Sequence, residues 1–137
     1  MRRTAALITG AIVLVAAGCG ESESYSNDPR PPSPIVLTAS INKDAVSVSP
    51  TSFGAGPVSL VITNQTSAAQ EITFGTSGGS AGFEQQTGPI NPGDTATLKA
   101  VVPRGSATVK VQSDGIDPAE LKIGAERASA QNELLQP

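Results

Sequence analysis

From Ile35 onward, apolar and polar residues alternate in short runs, and this alternation limits what the chain can fold into more than any other feature. Successive side chains of a strand point to opposite sides, so each run has one apolar and one polar face, as in antiparallel sheets. Short strands at this spacing predict an all-β fold, an antiparallel Greek-key β-sandwich of about six or seven strands. The runs cover residues 35–40, 46–49, 58–63, 71–74, 95–100 and 107–112.

Turn-forming residues separate these runs. Pro fixes φ and Gly permits positive φ, so Pro–Gly and Asp–Gly pairs favour tight turns. We expect turns at residues 42–44, 53–57, 91–94, 103–105 and 113–115. The pattern therefore predicts one domain over residues 35–125, followed by a polar C-terminal tail over residues 126–137.

One segment near the C-terminus carries two conflicting signals. Asp117 followed by Pro118 is typical of a helix start, with Asp117 as the N-cap. Leu121, Ile123 and Ala125 instead fit the inward face of a strand, because they recur at every second position. We expect a strand here.

The N-terminus has the order of a secretory signal. Two arginines precede an apolar run over residues 5–17, and small residues over 16–18 precede Cys19. This arrangement resembles a bacterial lipobox, in which a dedicated peptidase cleaves before a cysteine whose thiol carries diacylglycerol. The resemblance implies a lipoprotein signal peptide over residues 1–18, a lipid-attached Cys19, and a place on the extracytoplasmic face of a bacterial membrane.

Other interpretations of this N-terminus fit less well. A transmembrane helix needs about 20 apolar residues, and the run over residues 5–17 is shorter. A twin-arginine signal would need a large apolar residue directly after Arg3, which is followed by Thr4. A buried structural role for Cys19 is at odds with its place between a signal and a polar segment. Two or more acyl chains would hold the protein stably, since one chain alone binds only marginally.

Residues 20–34 are predicted to be a disordered linker. They are rich in Ser, Glu and Pro and have almost no apolar side chain to bury. At the polyproline II rise of about 3.1 Å per residue, such a segment would span at most about 45 Å. After removal of residues 1–18, seven basic and twelve acidic side chains remain, which gives a net charge of −5.

The residue inventory excludes several kinds of chemistry. The chain has no His and one Cys, so it contains no Ser-His-Asp or Cys-His catalytic set and no internal disulfide. A structural zinc site needs His or several Cys ligands. The acidic balance and scarce aromatic residues argue against a nucleic-acid partner. We therefore expect a non-enzymatic protein without cofactor or metal, whose partners are the membrane and an unknown protein or envelope ligand.

Three stretches of the chain resemble a cupredoxin-type β-sandwich: GPVSLVITN at residues 56–64, QEITF at 70–74 and INPGDTATL at 90–98. A further run at residues 105–111 lies where that family has the strand that ends in a copper-binding Cys. Together the similarity covers about residues 44–124. It implies a cupredoxin-like sandwich, and in the family's copper-binding members the ligands are two His, one Cys and usually a Met.

The chain departs from this family at the copper ligands. Gln70 occupies the place of the first His and Val111 the place of the Cys, and residues 113–118 contain neither His nor Met. An amide oxygen binds copper weakly and an isopropyl group does not bind it. The resemblance therefore implies a copper-free domain.

A Gly-rich segment at residues 75–82 lacks the Lys that a phosphate-binding loop needs. We expect an inter-strand loop instead, and loops at one end of a sandwich often form binding surfaces. The candidate binding residues are Gly78, Gly79, Phe83 and Gln85, although Phe83 also fits the core and is expected there rather than as an exposed contact.

Two other functions stay open. The protein could be an accessory subunit of a membrane complex, with Leu134 and Leu135 as the contact. It could also be a small envelope hydrolase that uses carboxylates such as Glu71 and Glu84, which we otherwise expect on the surface. Further acidic residues lack the spacing of a calcium loop and are expected in turns and caps; they are Asp114, Asp117 and Glu120.

Overall fold

The computed structural model describes residues 29–77 and 82–130, and in these residues the chain forms eight β-strands. The strands are β1 (Ile35–Ile41), β2 (Val46–Ser49), β3 (Ser52–Asn64), β4 (Ile72–Thr76), β5 (Glu84–Gln86), β6 (Thr95–Val102), β7 (Gly105–Val111) and β8 (Ala119–Glu126). No helix in this part of the chain has the length and apolar character needed to cross a membrane.

The strands form the two layers of a sandwich. Sheet I has the order β2-β1-β3-β6, and sheet II has the order β3-β8-β7-β4-β5, so β3 belongs to both. Five of the strand pairs are antiparallel, while β1–β3 and β3–β8 are parallel. The predicted all-β sandwich is confirmed, but its sheets are mixed and not purely antiparallel as predicted. The sequence could not show this, because alternation along a strand does not specify the direction of its neighbour.

The long strand β3 bends where it passes from one sheet to the other. Ser52 to Gly54 pair with β8, the register shifts between Gly54 and Ala55, and the strand pairs with β6 from Gly56 onward. Gly56 has a φ of 130°, a conformation that L side chains rarely adopt. The predicted turn at residues 53–57 is therefore wrong: its glycines and proline bend a continuous strand and do not end it.

The side chain of Arg127 binds the bent part of β3. Its Nε donates to the carbonyl oxygens of Gly54 at 3.1 Å and Ala55 at 3.3 Å. Its Nη2 donates to the carbonyl oxygen of Pro57, and its Nη1 donates to that of Ser33 at 2.5 Å. One guanidinium thus joins the bend to the segment that precedes β1.

The end of the predicted linker lies against the domain. Ser129 Oγ donates to the carbonyl oxygen of Arg30 at 2.6 Å, and the backbone N–H of Ala130 donates to that of Pro31 at 3.4 Å. Pro32 is buried. The chain is therefore attached to the sandwich from Arg30 onward.

The core lies between the sheets and is formed by the inward residues of the alternating runs. On β3 the predicted inward residues Val58, Leu60 and Ile62 are all buried. The strand predicted after Pro118 is also confirmed, and its Leu121 and Ile123 are buried. Ala125 is exposed, against expectation, because the end of β8 runs past the core to the bend of β3.

We predict that Gly56→Ala destabilises the protein more than Gly105→Ala, although both positions have a strongly positive φ, 130° and 139°. The unfavourable φ alone costs about 1–3 kcal/mol at either position. A Cβ at Gly56 would also come within 2.9 Å of Arg127 Nη2, whereas one at Gly105 meets nothing within 4 Å. Losing the Arg127 hydrogen bonds should add about 2 kcal/mol, measured as the free energy of unfolding in urea.

The control for this prediction is the same pair of substitutions in an Arg127→Ala background. There the two glycine substitutions should cost the same, because the guanidinium is already absent. An unchanged difference between them would contradict the role given to Arg127.

Candidate functional site

One end of the sandwich contains a polar cluster that we call the polar pole: the buried Asn64 and Gln70, the half-buried Thr66 and the exposed Ser113. Asn64 is wholly buried at the end of β3. Its Nδ2 donates to the carbonyl oxygens of Ala68 at 2.7 Å and Ile90 at 2.8 Å. Its Oδ1 accepts from Thr66, from the backbone N–H at 2.9 Å and from Oγ1 at 2.8 Å. An Asx-type turn thus follows β3 and uses every polar atom of the Asn64 side chain.

Gln70 connects this turn to the loop that follows β7. Its side chain is buried, and its Oε1 accepts a hydrogen bond from Ser113 Oγ at 2.6 Å. Its backbone exchanges two hydrogen bonds with Ile90, at 3.0 and 2.8 Å. Ile72 of β4 pairs with Val111 of β7, so Gln70 and the end of β7 are close together, as the cupredoxin resemblance implied.

A second candidate surface lies along β6, where two grooves meet at Val101. The first groove, of about 660 Å³, is lined by Phe83, Val102 and Pro103, among others. The second, of about 570 Å³, is lined by Pro34 and Pro57, among others. Val101 lines both grooves and is 70% exposed; Val36 of β1, at 62%, is the other strongly exposed large apolar residue in the part of the chain that the structure describes. We call its exposed side chain, which lies between the two grooves, the Val101 ridge.

The structure brings two of the predicted binding residues to these grooves. Phe83 lines the first groove and is half-buried, and its ring packs edge-on against Phe74 with centroids 4.7 Å apart. Gln85, exposed on β5, lines the second groove. Gly78 and Gly79 lie outside the described residues. Phe83 therefore packs against the core, as expected, and also borders a surface.

The sequence prediction missed Val101, because it ended this strand at Ala100. In β6 the inward residues are the half-buried Ala96, Leu98 and Ala100, so Val101 falls on the outward face. The available signal in the sequence was that Val101 is apolar at a position where the alternation along β6 predicts a polar residue. Its meaning depends on β6 being the edge of sheet I, which only the strand order shows.

The grooves also carry charged side chains. Lys99 lines the second groove, and Arg104 and Glu126 line the first. Lys99 is the one charged residue in the four strands of sheet I. Within residues 29–77 and 82–130 one ion pair forms, Lys43–Asp44 at 3.6 Å, so Lys99 and Arg104 have no ionic partner there.

The acidic candidates are not brought together. Glu84 lies opposite Gly75 on β4, and Glu71 precedes Gly75 by four residues, a separation of about 13 Å along the strand. An acid–base pair of a glycosidase type needs about 5–10 Å. Glu120 accepts hydrogen bonds from Thr108 Oγ1 at 3.2 Å and Ser77 Oγ at 3.4 Å. In the described ranges no three His, Cys, Asp or Glu residues group to hold a metal.

Comparison with known proteins identifies the fold. No protein-family model matches the chain, and no curated protein sequence matches it. Among solved structures, the blue copper protein auracyanin A from Chloroflexus aurantiacus superposes with a TM-score of 0.51 at 12% sequence identity. The superposition covers 67% of this chain and 100% of the auracyanin A chain. The domain has a cupredoxin-like fold.

Two further solved structures overlap with this cupredoxin-like domain less well. Auracyanin from Roseiflexus castenholzii has a TM-score of 0.47 at 13% identity, covering 68% of this chain and 98% of its own. The multicopper oxidase mgLAC has a TM-score of 0.44 at 13% identity, covering 69% of this chain and 39% of its own.

The residues at the polar pole do not fit a blue copper centre. Such a centre uses two imidazoles and a thiolate in a trigonal arrangement. The pole offers an amide from Gln70, a hydroxyl from Ser113 and the isopropyl group of Val111, and the whole chain has no His. The Gln70 oxygen is already engaged by Ser113, so the pole is closed by hydrogen bonds between its own side chains.

We predict that Asn64→Ala lowers the free energy of unfolding by about 3 kcal/mol. The substitution leaves the N–H of Thr66 and the carbonyl oxygen of Ala68 without the partner they have in Asn64. Thr95→Ala is the control, because its hydroxyl is exposed and pairs with Thr63 Oγ1 at 3.1 Å; it should cost less than about 0.5 kcal/mol. Equal costs in urea unfolding would show that the pole does not stabilise the domain.

Proposed function

We propose that this protein is a membrane-anchored extracytoplasmic lipoprotein whose copper-free cupredoxin-like domain has a non-enzymatic binding role in the bacterial envelope. Cys19 carries the lipid, and the segment after it connects the anchor to the sandwich. The two grooves beside the Val101 ridge are the proposed binding surface.

The chemistry of the polar pole carries the copper-free part of this proposal. At the pole, the Gln70 amide and the Val111 isopropyl group take the places where the family resemblance implies that a copper protein would have imidazole and thiolate. Asn64 and Gln70 also form hydrogen bonds to three separate chain segments. These hydrogen bonds would then hold the chain segments together, as metal ligation does in a copper protein. An electron-transfer role has no support.

The attachment of Arg30 and Pro31 to the C-terminal segment supports a membrane-near position for the grooves. Only residues 20–29 are left to span from the lipid to the domain, about 31 Å at the polyproline II rise of about 3.1 Å per residue. Pro34 lines the second groove, so the linker joins the domain next to the proposed binding surface. A partner bound there would lie close to the membrane surface.

An accessory subunit of a membrane complex is a second candidate, and the exposed Val101 between two grooves favours it. In that case the partner is a larger complex and not a free ligand. Leu134 and Leu135, the contact suggested by the sequence, lie outside the described residues. Pull-down of the complex with and without residues 127–137 separates this candidate from a free-standing binding protein. The hydrolase alternative loses its support, since Glu71 and Glu84 are far apart.

We predict that Cys19→Ala removes the protein from the membrane. Wild-type protein should incorporate labelled fatty acid and leave the membrane fraction only with detergent, because acyl chains hold it by hydrophobic burial. The Cys19→Ala variant should take up no label and appear in the soluble fraction. Ser22→Ala, a substitution in the same segment, is the control and should behave as wild type. Equal labelling of the Cys19→Ala variant, or release of wild type by salt alone, would contradict the proposal.

A further inference from the structure

Strand β6 forms an open edge of sheet I. All eight of its residues pair with β3, from Thr95 opposite Thr63 to Val102 opposite Gly56. In the part of the chain that the structure describes, no strand pairs with its other side. An edge strand presents backbone N–H and C=O groups that can pair with another extended chain.

This edge is less protected than the others. β2 has four residues and β5 has three, whereas β6 has eight, with no proline and no register shift. Proteins guard an edge by short length, proline, a bulge or an inserted charge. Of these devices β6 has one, the charge of Lys99 near its centre.

The surface beside this edge suits apolar side chains. The Val101 ridge stands between the first groove, bordered by Phe83 and Pro103, and the second, bordered by Pro34 and Pro57. Side chains on the same face of a strand repeat about every 7 Å. Consecutive side chains on one face of an added strand could therefore lie on either side of Val101.

The charges at the edge favour an acidic partner. Lys99 lies at the second groove and Arg104 at the first, so a cation flanks the Val101 ridge on each side. Neither has an ion pair among residues 29–77 and 82–130, and the opposing charge at the grooves is Glu126. Carboxylates beside apolar side chains complement this arrangement.

The same charges disfavour a second copy of this chain as the occupant. In a twofold antiparallel pairing of β6 with itself, residues near the strand centre face each other. Lys99 lies near that centre, so the two Lys99 side chains would be opposite or diagonal neighbours. Like charges in such positions destabilise a strand pair.

We propose that the outer edge of β6 binds an extended segment of another protein, in which acidic and apolar side chains follow each other on one face. The segment adds to sheet I as a further strand, with apolar side chains beside Val101 and carboxylates facing Lys99 and Arg104. This inference rests on the proposed binding function and names the chemistry of the partner.

Amide hydrogen exchange of the purified full-length protein in detergent micelles tests this proposal. The probe is the peptide acetyl-EEVVEEVV-amide, which places Glu and Val alternately on each face of a strand; acetyl-KKVVKKVV-amide is its charge-reversed match. At millimolar concentration the acidic peptide should slow exchange in β6, and the basic peptide should bind at least about fivefold more weakly.

Two variants test whether the charge of Lys99 determines the preference for the acidic peptide. Lys99→Glu should reverse the preference between the peptides, whereas Lys110→Glu, an exposed residue on β7 in sheet II, should leave it unchanged. Equal binding of both peptides, or no effect of Lys99→Glu, would overturn the proposal. So would unchanged exchange in β6 at millimolar acidic peptide.

Two further outcomes would assign the edge to another occupant and so overturn the proposal. Protection of β6 that rises with protein concentration alone would indicate a second copy. Faster exchange in β6 after deletion of residues 131–137 would indicate the chain's own C-terminal segment. If the wild-type protein were found in the soluble fraction and still bound the acidic peptide, the membrane anchor would be refuted while binding at the edge of β6 would stand. The two proposals can therefore fail separately.

Discussion

The bend of β3 is the feature on which the rest of the structure depends. One strand supplies pairing partners for both sheets, and it can do so because it turns at Gly56 without ending. Arg127 donates hydrogen bonds to backbone carbonyl oxygens at this bend, and the same guanidinium donates to the carbonyl oxygen of Ser33. The bend therefore determines how the sheets face each other and where the linker joins the domain. It also borders both grooves, through Gly56 and Pro57.

Strands with strict alternation could be predicted from the sequence, since Val58, Leu60 and Ile62 bury one face of β3 wherever its neighbours lie. The first part of β3 could not, because its glycines and proline are the residues that normally mark a turn. β5 could not either: its three residues are polar and exposed, so they show no apolar face. The parallel partners of β3 follow from the order of strands in space, which alternation does not record.

The candidate site could be predicted only in part, for a similar reason. Gln70 could be placed near the end of β7 through the family resemblance, because a resemblance carries information about distant contacts. Phe83 and Gln85 were found because they follow a Gly-rich loop. Val101 and Lys99 gain their meaning only once β6 is known to be an open edge, so no local pattern could identify them. Cys19, which carries the proposed anchor, lies outside the described residues.

The central proposal is that the polar pole is a closed network of hydrogen bonds that does not bind copper. Addition of one equivalent of Cu(II) to the purified protein, followed by visible absorption spectroscopy and urea unfolding, tests it most directly. The polar pole provides neither thiolate nor imidazole, so the account predicts no intense blue absorption and no change in the unfolding midpoint. A blue colour that saturates at one copper per chain, together with a higher midpoint, would contradict it.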